Sequence, residues 1–185
     1  LLMDGEGNIQ NIVSKEYPLY FPHPGWSEQK PEDWYEQVMA GIKELIQDAD
    51  KSQVAGISFG GQMHGLVAID ASNRPIRPVI LWNDGRTAAE NDFLNREIGQ
   101  AFLAAHTANI SFAGFTAPKI LWMKENEPEN FAKIKKIMLP KDYIRYMLTG
   151  EFATEVSDAS GMQFMDIKNR CWSKELLDIL GIDIG

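Results

Sequence analysis

The sequence has a single cysteine, Cys171. Within one chain, neither a disulfide framework nor a cysteine metal cluster can form from it. That usage fits a reducing, cytoplasmic setting. Runs of basic residues are missing too, and the net charge is −8. Phosphate neutralisation needs clustered Lys and Arg, so nucleic acid is not an expected partner. No apolar stretch approaches the roughly 20 residues that span a bilayer, so no membrane contact is expected. The opening residues Leu1-Leu2-Met3-Asp4-Gly5 lack the charged leader and long apolar core of a secretory signal. There is no phosphate-binding P-loop, no zinc-ligand spacing and no persuasive Ser-His-Asp set. What remains is ordinary: 44% hydrophobic and 24% charged residues over 185 positions suit one ordered domain with a real core.

Both ends read as interior to a longer chain. Residues 1–8 look like the tail of one strand entering a tight turn, and residues 181–185 stop just after a helical pattern. Residues 9–17 complete a hairpin. Residues 18–31 hold four prolines and read as an extended loop. Pro31, with Glu32 and Asp33 behind it, starts a helix to about Asp48, with Trp34, Val38, Ile42, Leu45 and Ile46 on one face. Short strands are expected at 54–59, 66–69, 79–82, 137–139 and 164–166. Helices are expected at 87–105 with a break near Gly99, at 116–125, 128–134 and 142–148, and after a Ser173 cap. A hairpin, a helix, further strands and then many helices give an α/β fold. The order is compatible with a ribonuclease-H-like mixed sheet with flanking helices, although periodicity alone does not select it.

Three polar segments could carry chemistry. In Gly60-Gly61-Gln62-Met63-His64-Gly65, two glycines after a strand let a ligand approach the backbone. Gln62 and His64 offer donors and acceptors to hydroxyls, and the Met63 thioether can pack on a sugar carbon face. Spacing alone favours the plainer reading, a glycine turn with a satisfied histidine. In Leu81-Trp82-Asn83-Asp84-Gly85-Arg86 the ring of Trp82 could stack on a sugar while Asn83 and Asp84 take hydroxyls. A helix cap with a core Trp explains that segment equally well. Lys119 sits in a helix's first turn, against the dipole, so a salt bridge with Asp84 or Glu125 is expected. The stretch 154–161 is either a site loop or a turn held by side-chain caps.

Together the segments resemble the FGGY family of carbohydrate kinases. Gly114-Phe115-Thr116-Ala117-Pro118-Lys119-Ile120-Leu121-Trp122-Met123-Lys124-Glu125-Asn126 is similar to that family's first signature position by position. Met138 to Tyr143, Leu148 to Glu151 and Ser157 to Ser160 also resemble it, while Glu155 stands where many members have Asp. Within the family, the loop Pro22-His23-Pro24-Gly25-Trp26-Ser27-Glu28-Gln29 and the pair Met63-His64 resemble the members that act on D-xylulose. The Arg-Glu pair of the glycerol-acting members is absent.

The resemblance implies an actin-like, ribonuclease-H-like domain. It also implies transfer of the ATP γ-phosphate to the 5-hydroxyl of D-xylulose, with Mg2+. Sugar contact falls to Met63 and His64, with Gln62, Trp82, Asn83 and Asp84 as weaker candidates for the same pocket. Gluconate or ribulose as substrate, and a non-catalytic sugar-binding module, remain alternatives. By the resemblance, the family's phosphate loop would precede Leu1, and its catalytic Asp and second domain would follow Gly185. The expectation is therefore most of an N-terminal domain, with no catalytic residue in 1–185. It should hold neither nucleotide nor metal tightly and be inactive alone. A homodimer is compatible with the sequence.

Overall fold

The computed structural model describes residues 1–183. Ile184 and Gly185, part of the expected chain end, lie outside the described residues. Within residues 1–183 the elements are β1 (Leu2–Met3), β2 (Ile9–Asn11), β3 (Glu28–Gln29), α1 (Pro31–Leu45), β4 (Val67–Ile69), β5 (Val79–Ile80), α2 (Ala88–Phe93), α3 (Gln100–Thr107), α4 (Thr116–Asn126), α5 (Pro128–Phe131), β6 (Lys136–Met138), α6 (Pro140–Thr149), α7 (Val156–Ala159), β7 (Met165–Asp166), β8 (Cys171–Trp172) and α8 (Lys174–Leu180).

The strands that matter for the site form an antiparallel strip. β3 pairs with β5, and β4 pairs with β6. Ile80 joins the two ladders, facing Glu28 on one side and Leu66 on the other. The strip is covered on both faces, and the alternation of side chains shows how. Leu66, Ala68, Ile80 and Leu139 point into a core with Leu103, Ala117, Ile120, Met123 and Leu180 from α3, α4 and α8. Val67, Ile69, Val79, Leu81 and Met138 point the other way, onto Trp34 of α1 and Tyr143 and Ile144 of α6. A strand whose residues are buried on both faces reads as a continuous apolar run, which is what residues 66–69 show. Val67, Ile69, Val79 and Ile80 are fully buried, and burying each such side chain stabilises by about 1.5–3 kcal/mol.

The helices follow their sequence signals. Pro31 opens α1 and Pro140 opens α6, each in the first turn, where a missing N–H costs nothing. Gly150 ends α6 with φ +75° and donates its N–H to Tyr146 O at 2.7 Å. The break near Gly99 is there: a π-helical turn from Leu94 to Gly99 separates α2 from α3, and Gly99 has φ +97°. Ser173 Oγ accepts from Leu176 N at 3.4 Å and caps α8.

Two expectations are corrected. Residues 54–59 do not form a strand: they run without ladder bonds, and Ile57 is 62% exposed. Their apolar pattern is real, but among the described residues no neighbouring strand pairs with them. Conversely, the proline loop contains β3, whose two residues carry no readable period but fill the edge of the strip.

Candidate functional site

Loop 60–65 enters β4, and His64 adopts φ +63°, a left-handed backbone uncommon for a residue with a Cβ. Gly65 N donates to Met63 O at 2.8 Å, so the chain turns tightly about His64. The turn is held from α4: Thr116 Oγ1 donates to His64 O at 3.1 Å and Lys119 Nζ donates to the same oxygen at 2.8 Å. The imidazole lies against Phe115, with ring centroids 4.7 Å apart. On its other side Gly161 leaves room for it, since a Cβ there would sit 2.3 Å from His64 Cε1. Nδ1 is buried and has no hydrogen-bond partner among the described residues.

The same lysine reaches a second loop. Lys119 Nζ donates to Gly114 O at 2.6 Å. Gly114 in turn packs on Trp82, where a Cβ would come within 2.5 Å of the Trp82 carbonyl oxygen. Loop 60–65, the turn at 112–115 and the segment after β5 therefore converge at the start of α4. Met63, Trp82 and Asn83 are exposed on this rim and His64 is half-buried within it. Phe112 and Phe115, in edge contact with centroids 5.3 Å apart, extend its apolar part. The expected salt bridge of Lys119 is not formed: among the described residues it makes no ion pair, and its ammonium binds two carbonyls instead.

Asp84 and Gln62 stand apart from that rim. Asp84 is buried and its oxygens accept from Ser27 N at 2.6 Å, from Arg86 N at 2.9 Å, and from Arg86 Nε and Nη2 at 2.9 and 2.7 Å. Arg86 also donates to Glu28 at 2.7 Å, and Arg77 pairs with Glu28 and Glu127. The Arg86 guanidinium stacks on Trp26 at 3.6 Å and on Trp122 at 4.8 Å. Gln62 Nε2 donates to Gln29 Oε1 at 2.8 Å, an oxygen that also accepts from Trp34 Nε1 at 3.1 Å. Gln62 also lines a cavity of about 340 Å³ with residues of α1, Phe59 and Ile144.

The charges follow from these contacts. Burial pushes the Lys119 amine down to about 7, against the pull of the Asp84 carboxylate. Burial and then the Lys119 charge push His64 below the ordinary imidazole range, against a smaller opposing contact from the Gly161 backbone. Burial works to raise Asp84, but the bonds from Arg86 and Ser27 prevail and hold it below the usual carboxylate range. In the 154–161 stretch Glu155 caps α7 by accepting from Ser157 N and Asp158 N, both at 2.7 Å. The Ser157 hydroxyl, which donates to the same carboxylate at 2.6 Å, leads in holding Glu155 down to about 2. The cap reading of that stretch is the structural one, and Gly161 adds a contact to the site. Lys141 binds Asp142 at 2.8 Å and lies 3.2 Å from Asp158.

Sequence reasoning missed Phe115, Gly161 and the target of Lys119. The lysine's position against the helix dipole was the one available signal.

Helices cover both faces of the strip, and the family match and the structural neighbours identify this arrangement as a ribonuclease-H-like, actin-like domain of the sugar-kinase type. The N-terminal domain of the FGGY family of carbohydrate kinases matches residues 1–184, and the chain belongs to that family. The xylulose kinase of Lactococcus lactis subsp. lactis (strain IL1403) is 48% identical over 186 residues, covering 99% of this chain and 37% of that protein. The crystal structure of the protein named "xyloylose kinase" from Brucella ovis superposes with a TM-score of 0.90 at 42% identity, over 99% of this chain and 38% of its own. A gluconate kinase from Lactobacillus acidophilus gives a TM-score of 0.92 at 29% identity, over 98% of this chain and 37% of that one. The chain thus spans a little over a third of the relatives it matches.

Proposed function

We propose that this chain is the sugar-holding part of a longer ATP-dependent kinase that phosphorylates the 5-hydroxyl of D-xylulose. On this reading residues 1–185 are most of an N-terminal domain, and the second domain and the catalytic base lie outside them. The supporting observation is the His64 imidazole, held in a left-handed turn by Thr116 and Lys119 beside the exposed Met63. A neutral polyol suits such a group: Nδ1 is buried, which leaves Nε2 to exchange a hydrogen bond with a hydroxyl. Met63 offers an apolar surface to the sugar's C–H face. Trp82 and Asn83 stand next along the rim. Asp84 supports it from behind, its oxygens already engaged, and Gln62 is tied to Gln29 through its amide nitrogen.

Phosphoryl transfer rests on positioning and charge stabilisation, and these residues serve the positioning. ATP and Mg2+ belong to the proposal for the whole enzyme, in the cytoplasm. Among the described residues no three His, Cys, Asp or Glu side chains gather around one point; Mg2+ in such enzymes is held largely by the nucleotide phosphates and water. The main competing substrate is gluconate, on the strength of the Lactobacillus acidophilus structure. The curated relatives at 41% identity or more that span nearly all of this chain are named as xylulose kinases.

A panel of D-xylulose, D-ribulose, gluconate and glycerol offered to the full-length enzyme tests the reading. Preference for any sugar but xylulose rejects it. In the same enzyme His64→Ala is expected to lower kcat/KM for xylulose about three- to tenfold, the worth of one hydrogen bond to a neutral ligand, with a smaller effect on ATP. Unchanged xylulose kinetics would remove His64 from the site. The 185-residue chain by itself should form no ADP in response to xylulose, and detectable turnover would overturn the proposed division of labour.

A further inference from the structure

We propose that Lys119 is a positioning residue for substrate: from inside α4 it fixes the left-handed backbone of His64, and with it the direction in which His64 and Met63 meet the sugar. The inference rests on the reading of His64 as a sugar contact. Its geometry stands independently of that reading.

Lys119 is fully buried, yet its ammonium reaches no carboxylate among the described residues. Both of its hydrogen bonds end on backbone carbonyls, those of His64 and Gly114. A methionine of similar volume would fill the space without the cost of desolvating an amine. Packing therefore does not explain a lysine at this position, whereas the two carbonyls do. The His64 carbonyl belongs to the one residue of the loop forced to positive φ, a conformation that costs about 1–3 kcal/mol and persists only where surroundings over-determine it. Lys119 and Thr116, one turn apart on α4, supply that determination from below. Phe115 and Gly161 box the ring from the sides. Through Gly114, whose α-carbon abuts the Trp82 carbonyl, the same ammonium also ties the Trp82 segment to the His64 loop. One buried amine thus sets the spacing between the two walls of the rim. The other charged groups around it are Asp84, which favours its protonated form, and Arg86, which opposes it.

The test uses the full-length enzyme and two variants. Lys119→Met is expected to raise KM for the sugar about tenfold and leave KM for ATP within about twofold; Thr116→Val, a smaller change at the same carbonyl, should raise sugar KM about threefold. NMR titration of the His64 imidazole gives a second readout: in Lys119→Met its midpoint should move to higher pH, because a positive neighbour is gone. A purely structural lysine would lower thermal stability without separating sugar from ATP. Folded variants with unchanged sugar KM, or with sugar and ATP affected by equal factors, overturn the proposal. If Lys119→Met does not fold, Thr116→Val decides by the same criterion. If the wild-type enzyme phosphorylates none of the sugars offered, the proposed function falls, and the His64 titration alone then upholds or overturns the positioning link.

Discussion

Replacing Arg86 with methionine is expected to lower the free energy of unfolding by about 3–5 kcal/mol, the range found when one partner of a buried ion pair is removed. The side chain of Arg86 is 1% exposed and that of Asp84 is not exposed at all. Methionine would keep some contact with Trp26 and Trp122 but leave Asp84 with only backbone donors. Glu28 would retain Arg77, so the loss concentrates on Asp84. Chemical denaturation of the two proteins measures the difference. A change under about 1 kcal/mol would show the network to be peripheral to stability. Arg86→Met combined with Asp84→Asn should recover part of the loss, because the stranded charge is removed with its partner.

Stability should also rise with pH from about 7 to about 10, by on the order of 4 kcal/mol. The source is Lys119, whose amine is pushed down to about 7 in the folded chain from an ordinary 10.5. Below pH 7 both states are protonated and the whole cost of burying an ammonium is borne. Between the two values the folded chain has released its proton while the unfolded chain still holds one. The unfolded state then binds more protons, so raising the pH favours folding. Above pH 10 the curve should turn down, because burial raises the Tyr143 phenol to about 12 and the unfolded chain ionises first. Urea midpoints collected at pH 7, 8.5 and 10 check the slope. In Lys119→Met it should vanish over this window, and an unaltered slope in that variant would assign the effect to other groups.

Much of the fold was readable because its signals are local. Pro31 at a first turn, Gly150 at a helix end, Gly99 at a break and Ser173 as a cap each act within a few residues. The two-residue strands β3 and β8 were not readable, since a period of two needs more than two residues to declare itself. Residues 54–59 show the opposite failure. Their pattern states which side chains are apolar, and nothing in it states whether a partner strand is at hand.

In the site, the Met63-His64 loop stood out through resemblance, and its glycines and polar residues were visible in the sequence. Asp84 looked like a pocket carboxylate, yet its use is fixed by the amide of Ser27, 57 positions away. Lys119 was noticed for its poor place on the helix dipole, but its acceptors are carbonyls, which every residue possesses and no sequence pattern distinguishes.

The strip's two-sided burial reaches further than packing. Leu66 and Ala68 belong to one core, Val67 and Ile69 to the other, and the His64 turn ends one residue before that alternation begins. The aim of the imidazole is therefore a matter of parity. Shifting the chain by a single position would exchange every side chain between two cores of different composition. The rim's orientation is thereby counted out along the strand, and residues buried on both faces keep the count.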